Sequence, residues 1–399
     1  MKGKSRYFFL PLFDIIMKKL MEKVSILALS LVLTTAFSIS SALPYMLEFY
    51  KNRSTSDIEL LISLPSVGII ITLLLNGFIE KFLSERQMIV IGLVTLSISG
   101  TLPFFVQNYL FIFVTRLIFG MGVGLINAKA ISIISERYQG KERTQTLGFR
   151  GSAEVVGTAL LTLGSGQFMR FGWTAAFLVY SAGFIVLILY LFFVPYQQTE
   201  SNRTLTISQE KMTRSDWKVS LYLAFVAAVI VFANIAVNLR IPSIVAYEIK
   251  GEHGLSSLLL SSMQLIGILA GISFAKLVEF LHQRLLTVIG ICFGASLIAI
   301  GLANNLLLLA SATIFSGFAY SVALTTVFHT LSEKISSKIL NQATSVVVLG
   351  CSTGAAITPI ALNWIGSISS QTVFLFTVIG LLMIFTALST YITFRNQLK

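Results

Sequence analysis

Residues 148–166, GFRGSAEVVGTALLTLGSG, carry an arginine and a glutamate inside an apolar run. Arg150 and Glu154 are four apart, so on a helix they share a face and are within pairing reach, and Thr158 extends that face. A guanidinium beside a carboxyl can bind a charged or polar solute, or hold and release a proton. Burial favours the neutral form of a carboxyl and an adjacent cation favours the charged form, so such a pair is chemically able to switch. It can equally do no more than neutralise itself. The surrounding solvent decides how much weight the pair carries. On a soluble core helix the two charges mark a wet face, whereas an ionisable residue inside a bilayer is costly and by default functional.

Composition identifies that solvent. Hydrophobic residues make up 55% of the 399 and charged residues 12%, roughly half the charged share of a soluble domain. Twelve apolar segments can be read: Val24–Met46, Ile58–Ile79, Met88–Val106, Tyr109–Ile134, Thr144–Phe168, Trp173–Val194, Val219–Leu239, Leu255–Leu277, Leu285–Ala303, Leu306–Phe328, Ala343–Trp364 and Thr372–Phe394. A helix needs about 20 residues to cross the hydrocarbon core. Runs of this length imply helices rather than barrel strands, because in lipid each segment must satisfy its own backbone groups. The expected fold class is an all-α membrane protein. In the fifth segment Glu154 then lies roughly 15 Å deep and Arg150 roughly 9 Å deep.

Cys292 and Cys351 both fall in apolar runs. No pattern with metal-ligand spacing, Walker A loop, dinucleotide fingerprint or nucleophile–base constellation stands in a credible context. No metal, cofactor or enzymatic activity is expected.

The formal charge of +12 is explained by topology. With the N-terminus inside, 21 of the 29 Lys and Arg fall on the inner side and 4 on the outer side. The remainder, Arg116, Lys129, Arg150 and Arg240, sit in or at the ends of spans. This bias places both termini in the cytoplasm of a cell-membrane protein and implies no nucleic-acid partner. The basic segment 1–23 lacks an uninterrupted apolar core and a small-residue cleavage site, so it does not read as a signal peptide. It reads as lying on the inner membrane surface, with Met17 and Met21 as alternative starts.

The chain also matches itself. At an offset of 197, Gly120 meets Gly317, Ser135-Glu136 meets Ser332-Glu333, Gln145 meets Gln342, Gly157 meets Gly354 and Gly183 meets Gly380. At 198, Pro44 meets Pro242, Arg86 meets Arg284 and Gly92 meets Gly290. Two pseudo-symmetric six-helix halves are therefore expected, residues 24–194 and 219–394. A polar cytoplasmic linker, 195–218, joins them, and a short tail, 395–399, follows. Parallel duplication of this kind is an architecture in which two halves rock about a central cavity.

Local patterns give this architecture a family. The run from Asn76 through Gly77 to Arg86 holds an acid, a following base and a late base (Glu80, Lys81, Arg86). It resembles the G-x-x-x-D-R/K-x-G-R-K loop of the major facilitator superfamily, with Glu for Asp and Leu83 for the second Gly. Arg116-x-x-x-Gly120-x-Gly122 in the fourth span is similar to that family's R-x-x-x-G-x-G, and the Phe171-Gly172-Trp173 run is also familiar. The resemblance covers essentially the whole length. The fifth-span signature of the family's proton-coupled exporters departs here, with Leu161 at its proline position.

The resemblance implies a secondary active transporter working by alternating access, with a small-molecule substrate, protons as coupling ion, the bilayer as surroundings and a monomeric state. It ties Arg116 to proton coupling or helix bonding, and Gly77, Glu80, Lys81 and Arg86 to a cytoplasmic gate. Around these, Asn127 shares the face of Arg116. Asn234 and Asn238 share a face leading to Arg240, just before Pro242, a proline expected to break or end the helix. With Arg150 and Glu154 these are the candidate cavity residues. Export of a small organic compound is the first reading, from the Phe-rich spans and the fourth-span pattern. Uptake of a polar or anionic solute is the alternative, from the missing proline and the membrane cations. A membrane sensor on the same fold is the reading from another class.

Overall fold

The computed structural model describes residues 6–130, 132–195, 212–249, 254–336 and 339–395. Most of the expected linker (196–211), most of the tail (396–399) and residues 1–5 lie outside the described residues.

Every regular element among the described residues is helical. The spans are α1 (Arg6–Ala28, carried on through short 3-10 turns to Leu43–Phe49), α2 (Thr55–Ile79), α3 (Glu85–Thr101), α4 (Tyr109–Ala130), α5 (Gly140–Phe168) and α6 (a 3-10 stretch, Trp173–Ser181, running into Ala182–Phe193). Then come α7 (Arg214–Ser243), α8 (Leu255–Leu281), α9 (Leu285–Gly301), α10 (Leu306–Lys334), α11 (Leu340–Ile368) and α12 (Thr372–Arg395). Nine stretches among the described residues are long and apolar enough to cross a membrane, or ten with the bent α1. One of them, Leu255–Gly301, is α8 and α9 together. The charged α5, at 29 residues, is long enough but is not among the nine. The helices thus number twelve.

Local sequence explains the starts and the irregularities. Ser54 with Asp57, Ser84 with Gln87 and Thr213 with Asp216 form reciprocal capping boxes at the starts of α2, α3 and α7, satisfying amides that would otherwise be orphaned. The first span, expected as one run, bends by 50° between Met17–Val32 and Thr35–Phe49. Hydroxyls crowd this bend and bond back to the chain: Thr35 Oγ1 donates to the Val32 carbonyl and Ser40 Oγ to that of Phe37. Such back-bonding competes with the helical ladder and bends it. Pro242 does not break α7, which runs through it to Ser243 and passes into a π-helical turn, Ile244–Glu248. That turn lies beyond the proline and is closed by the Ile249 amide donating to the Ile244 carbonyl.

The two halves are the same structure twice. In the first, α2 and α3 pack on α4; in the second, α8 and α9 pack on α10. A Cβ added at Gly120 would lie 2.1 Å from the Pro65 carbonyl oxygen, and one added at Gly317 would lie 2.1 Å from that of Met263. Gly157 faces the Leu31 carbonyl and Gly354 that of Ala228 in the same way. These contacts reproduce the sequence offsets of 197 and 198. The halves meet through α2 against α11 and α5 against α8, pairs that the same offsets exchange.

Backbone contact at these glycines leaves no room for a side chain. Gly120→Val and Gly317→Val are each expected to lower the thermal midpoint in detergent by about 5 °C or more. Gly77→Ala, where a Cβ meets nothing within 4 Å, is the control and is expected to leave the midpoint unchanged.

Candidate functional site

Twelve alternating spans put Arg6 and Arg395 on one face of the bundle, here called the terminal face. The helix α5 enters from it. Glu154 is the fifteenth of the 29 residues of α5, and its carboxylate accepts an ion pair from Arg150 at 2.6 Å. Both side chains are partly exposed, 23% and 16%, although they stand at mid-helix. The exposed Thr34 of α1 adjoins them: its hydroxyl is 2.5 Å from that of Thr158, which donates to the Glu154 carbonyl. From the other half, Tyr320 lies within electrostatic reach of Glu154 and Cys351. It is the fifteenth of the 29 residues of α10 and, like Cys351, is partly exposed. Partly exposed polar groups thus stand at or near the midpoints of helices from both halves: an ion pair with hydroxyls in the first, a phenol and a thiol in the second. Tyr320 was missed by sequence reasoning, since a lone tyrosine in an apolar run carries no signal.

Arg116 stands apart from these groups. It is fully buried inside the first half. Its Nε donates to the Leu61 carbonyl (2.9 Å), and its Nη2 to those of Ala36 (2.6 Å) and Ile62 (3.2 Å). Its Nη1 donates to the Tyr180 hydroxyl (3.2 Å), and its guanidinium lies over the rings of Phe119 and Tyr180. The acceptors have a cause. Pro65 has no amide to bond Leu61 one turn back, and the bend of α1 frees Ala36. Gly120, one turn on, brings α4 against the same proline. The side chain therefore bolts α4 to α1, α2 and α6.

Arg240 finds a partner that sequence reasoning missed. It pairs with Glu59 of α2 at 3.1 Å, and Glu59 is 1% exposed. This buried ion pair joins the two halves at the face opposite the termini. Nearby, Ser56 Oγ donates to the Pro359 carbonyl, Ser261 Oγ to that of Ala159, and Ser257 packs where any Cβ on Gly166 would collide. Asn234 and Asn238 are buried on α7, and Asn238 Nδ2 donates to the Asn234 carbonyl. On the terminal side a Cβ added at Gly77, Gly151 or Gly271 meets nothing within 4 Å.

The terminal-face motif is occupied within its own half. Glu80 accepts from Lys129 (2.8 Å) and from Asn76 Nδ2 (2.7 Å). Arg86 donates to the Val194 carbonyl, and Lys81 is exposed. Asn127, partly exposed on α4, is not brought to Arg116 or to Glu154 by any bond seen here.

An all-helical membrane protein of two matched halves, tied on one face by an ion pair between them and carrying polar groups at mid-helix, has the form of a membrane transporter. The chain belongs to the Major Facilitator Superfamily, whose family model matches residues 25–333. No curated protein sequence matches it. Solved structures similar to it include a POT family transporter in complex with a thioalcohol-conjugated peptide (TM-score 0.76, 13% identity, covering 94% of this chain and 96% of that one). Another is a peptide transporter POT in complex with sulfate (TM-score 0.75, 14% identity, 94% of each chain). At such identities the likeness is one of fold.

Two predictions follow from the ion pairs. Removing one partner of a buried pair strands the other charge, whereas removing both does not. With Ser257→Cys as reporter in a Cys292→Ser, Cys351→Ser background, Glu59→Gln is expected to speed labelling by a water-soluble maleimide roughly tenfold, the factor for about 1.4 kcal/mol. Glu59→Gln with Arg240→Gln is expected to return it toward the parent rate. For Glu80, burial works to raise the carboxyl, but the bonds from Lys129 and Asn76 and the charge of Lys129 outweigh it and hold the group below its ordinary range. A lowered carboxylate contributes stability above its unfolded pKa and loses it as pH falls through the folded one. The thermal midpoint of the parent is therefore expected to exceed that of Glu80→Gln at pH 7, with the gap closing by about pH 3.

Proposed function

We propose that this transporter carries a small organic solute by alternating access, coupled to protons through Glu154. The observation that supports this reading is the Arg150–Glu154 pair at the midpoint of α5, partly exposed and faced by Tyr320 from the other half. A proton on Glu154 releases Arg150 to bind an anionic or polar group of the solute, and loss of that proton restores the pair. Asn127 is assigned to the cavity wall, and Arg116 to the positioning of α4. Arg240 and Glu59 form the latch of the face opposite the termini, with Asn234 and Asn238 behind it. Gly77, Glu80, Lys81 and Arg86 are assigned to closure of the terminal face. With both termini cytoplasmic in the cell membrane, as the charge bias implies, the latched face is external and this state opens inward. The protein acts as a monomer of two halves, residues 24–194 and 219–394.

Export of an organic compound with an apolar body is the first direction, supported by the Phe-rich spans and by the phenol opposite the ion pair. Uptake of a polar solute is the second. It is favoured by the placement of Arg116, whose donors are taken up by carbonyls, so that the fourth-span pattern no longer argues for export. The similar solved structures being peptide transporters makes short peptides the first solutes to try in that direction.

One assay separates these. Everted vesicles, acidified inside by respiration, report proton movement through a pH-sensitive dye as organic compounds are added. A compound that discharges the gradient with the parent and not with Glu154→Gln supports antiport through Glu154. Equal discharge by both removes Glu154 as the coupling group. Silence with both, combined with proton-driven peptide uptake in whole cells, supports import.

A further inference from the structure

In the first half, Glu80 at the end of α2 and Lys129 near the end of α4 close the gap between their helices by a 2.8 Å ion pair. At offsets of 198 and 197 the second half has Val278 and Thr326 at these places, which cannot form such a pair. Both residues line a cavity of about 440 Å³ on the terminal face, enclosed by the ends of α8, α9 and α10. That volume lies within the range of small-molecule sites.

The lining is of two kinds. Val278, Leu285 and Leu286 make an apolar floor. Above it stand His282, His329, Glu333 and Lys334, so donors and a carboxylate face one space. His329 is held in place: its ring meets Phe274 edge-on at 5.7 Å, and its Nδ1 lies 3.6 Å from Glu333 Oε2 one turn on. His282 has φ of 48°, the one positive φ outside glycine among the described residues. Backbone strain of this kind persists only where the surrounding structure holds it. Among the described residues no three His, Cys, Asp or Glu are grouped to hold a metal ion, so the imidazoles act here as hydrogen-bonding groups.

We propose that this cavity binds a small zwitterion, an anionic group and an ammonium on a short stem. Its occupant supplies between α8 and α10 the tie that Glu80 and Lys129 make between α2 and α4. The anion is received by the imidazoles and the Lys334 ammonium, the ammonium of the ligand by Glu333, and the stem by the floor. A free aminophosphate and the head group of an aminophospholipid share this chemistry.

The test uses the full chain in phosphatidylcholine nanodiscs, read by thermal midpoint. O-phosphoethanolamine is titrated into one sample, and phosphatidylethanolamine is built into the discs of another. A saturable rise of about 3 °C is expected with at least one of them. Phosphocholine, whose methylated ammonium cannot donate to Glu333, is expected to give none. A response to the soluble probe identifies a solute, and a response only to the lipid identifies a head group. Glu333→Gln, exposed enough to fold normally, is expected to abolish the rise. Val278→Glu with Thr326→Lys, which installs the tie of the first half, is expected to raise the midpoint unliganded and to blunt any further response. Failure of both probes, or a rise unchanged in Glu333→Gln, overturns the proposal.

Discussion

A guanidinium carried into an apolar bundle needs acceptors on every side, and the first half of this protein is arranged around Arg116. Isolated, such a charge costs far more than any packing contact returns. Here the acceptors are mainly backbone carbonyls, two of them released by a defect in a helix: the missing amide of Pro65 frees Leu61, and the hydroxyl-rich bend of α1 frees Ala36. Tyr180, in the 3-10 stretch of α6, completes the set and itself donates toward Thr35 and Ala36. Irregularities in three spans and one buried cation are therefore a single feature.

The second half shows the same logic by omission. Where the first half has Pro65 and Arg116, the second has Met263 and Thr313. Met263 keeps its amide, so α8 retains the ladder bond that α2 lacks, and no buried donor is required. Thr313 is small and fully buried, and its hydroxyl has no hydrogen-bond partner among the described residues. The glycine contact survives in both halves because it is steric, whereas the proline and the arginine are replaced together because each makes sense only with the other. Inside the spans the departures from symmetry thus include the charges at Arg116, Arg150 and Glu154, whereas the close glycine contacts agree.

This division explains what was legible in the sequence. Twelve spans, the offsets of the repeat and the pairing of Arg150 with Glu154 depend on hydrophobic length, glycine register and helical spacing, all of which are local. The bend of α1 was less visible, since Thr and Ser in an apolar run also pass as ordinary span residues. The partner of Arg240 was out of reach. Glu59 lies 181 positions away, the fifth residue of α2 and two after the capping Asp57, where an acid reads as favourable to the helix N-terminus. The acceptors of Arg116 have no side-chain signature at all, although Pro65 in mid-span was a clue. The second-half cavity was invisible because a site made by a missing ion pair leaves only a valine and a threonine behind.

The placement of charge also constrains how the halves can move. A buried pair such as Glu59–Arg240 is poor at stabilising a fold, because desolvation cancels much of its attraction, yet it is expensive to break one partner at a time. That makes it suited to holding one of two arrangements: water entering as the face opens can solvate both charges at once, which a point change cannot do. The compensating contacts must then form on the terminal side, along the same helix pairs, α2 with α11 and α5 with α8. Gly77, Gly151 and Gly271 stand on three of these helices with open space before them. Glycines so placed allow backbones to approach closely, as Gly120 and Gly317 do within each half. On the proposed alternating-access reading, a rocking motion that releases the ion pair is offset by backbone packing at the other end, with Glu154, at the midpoint of α5, between the two faces.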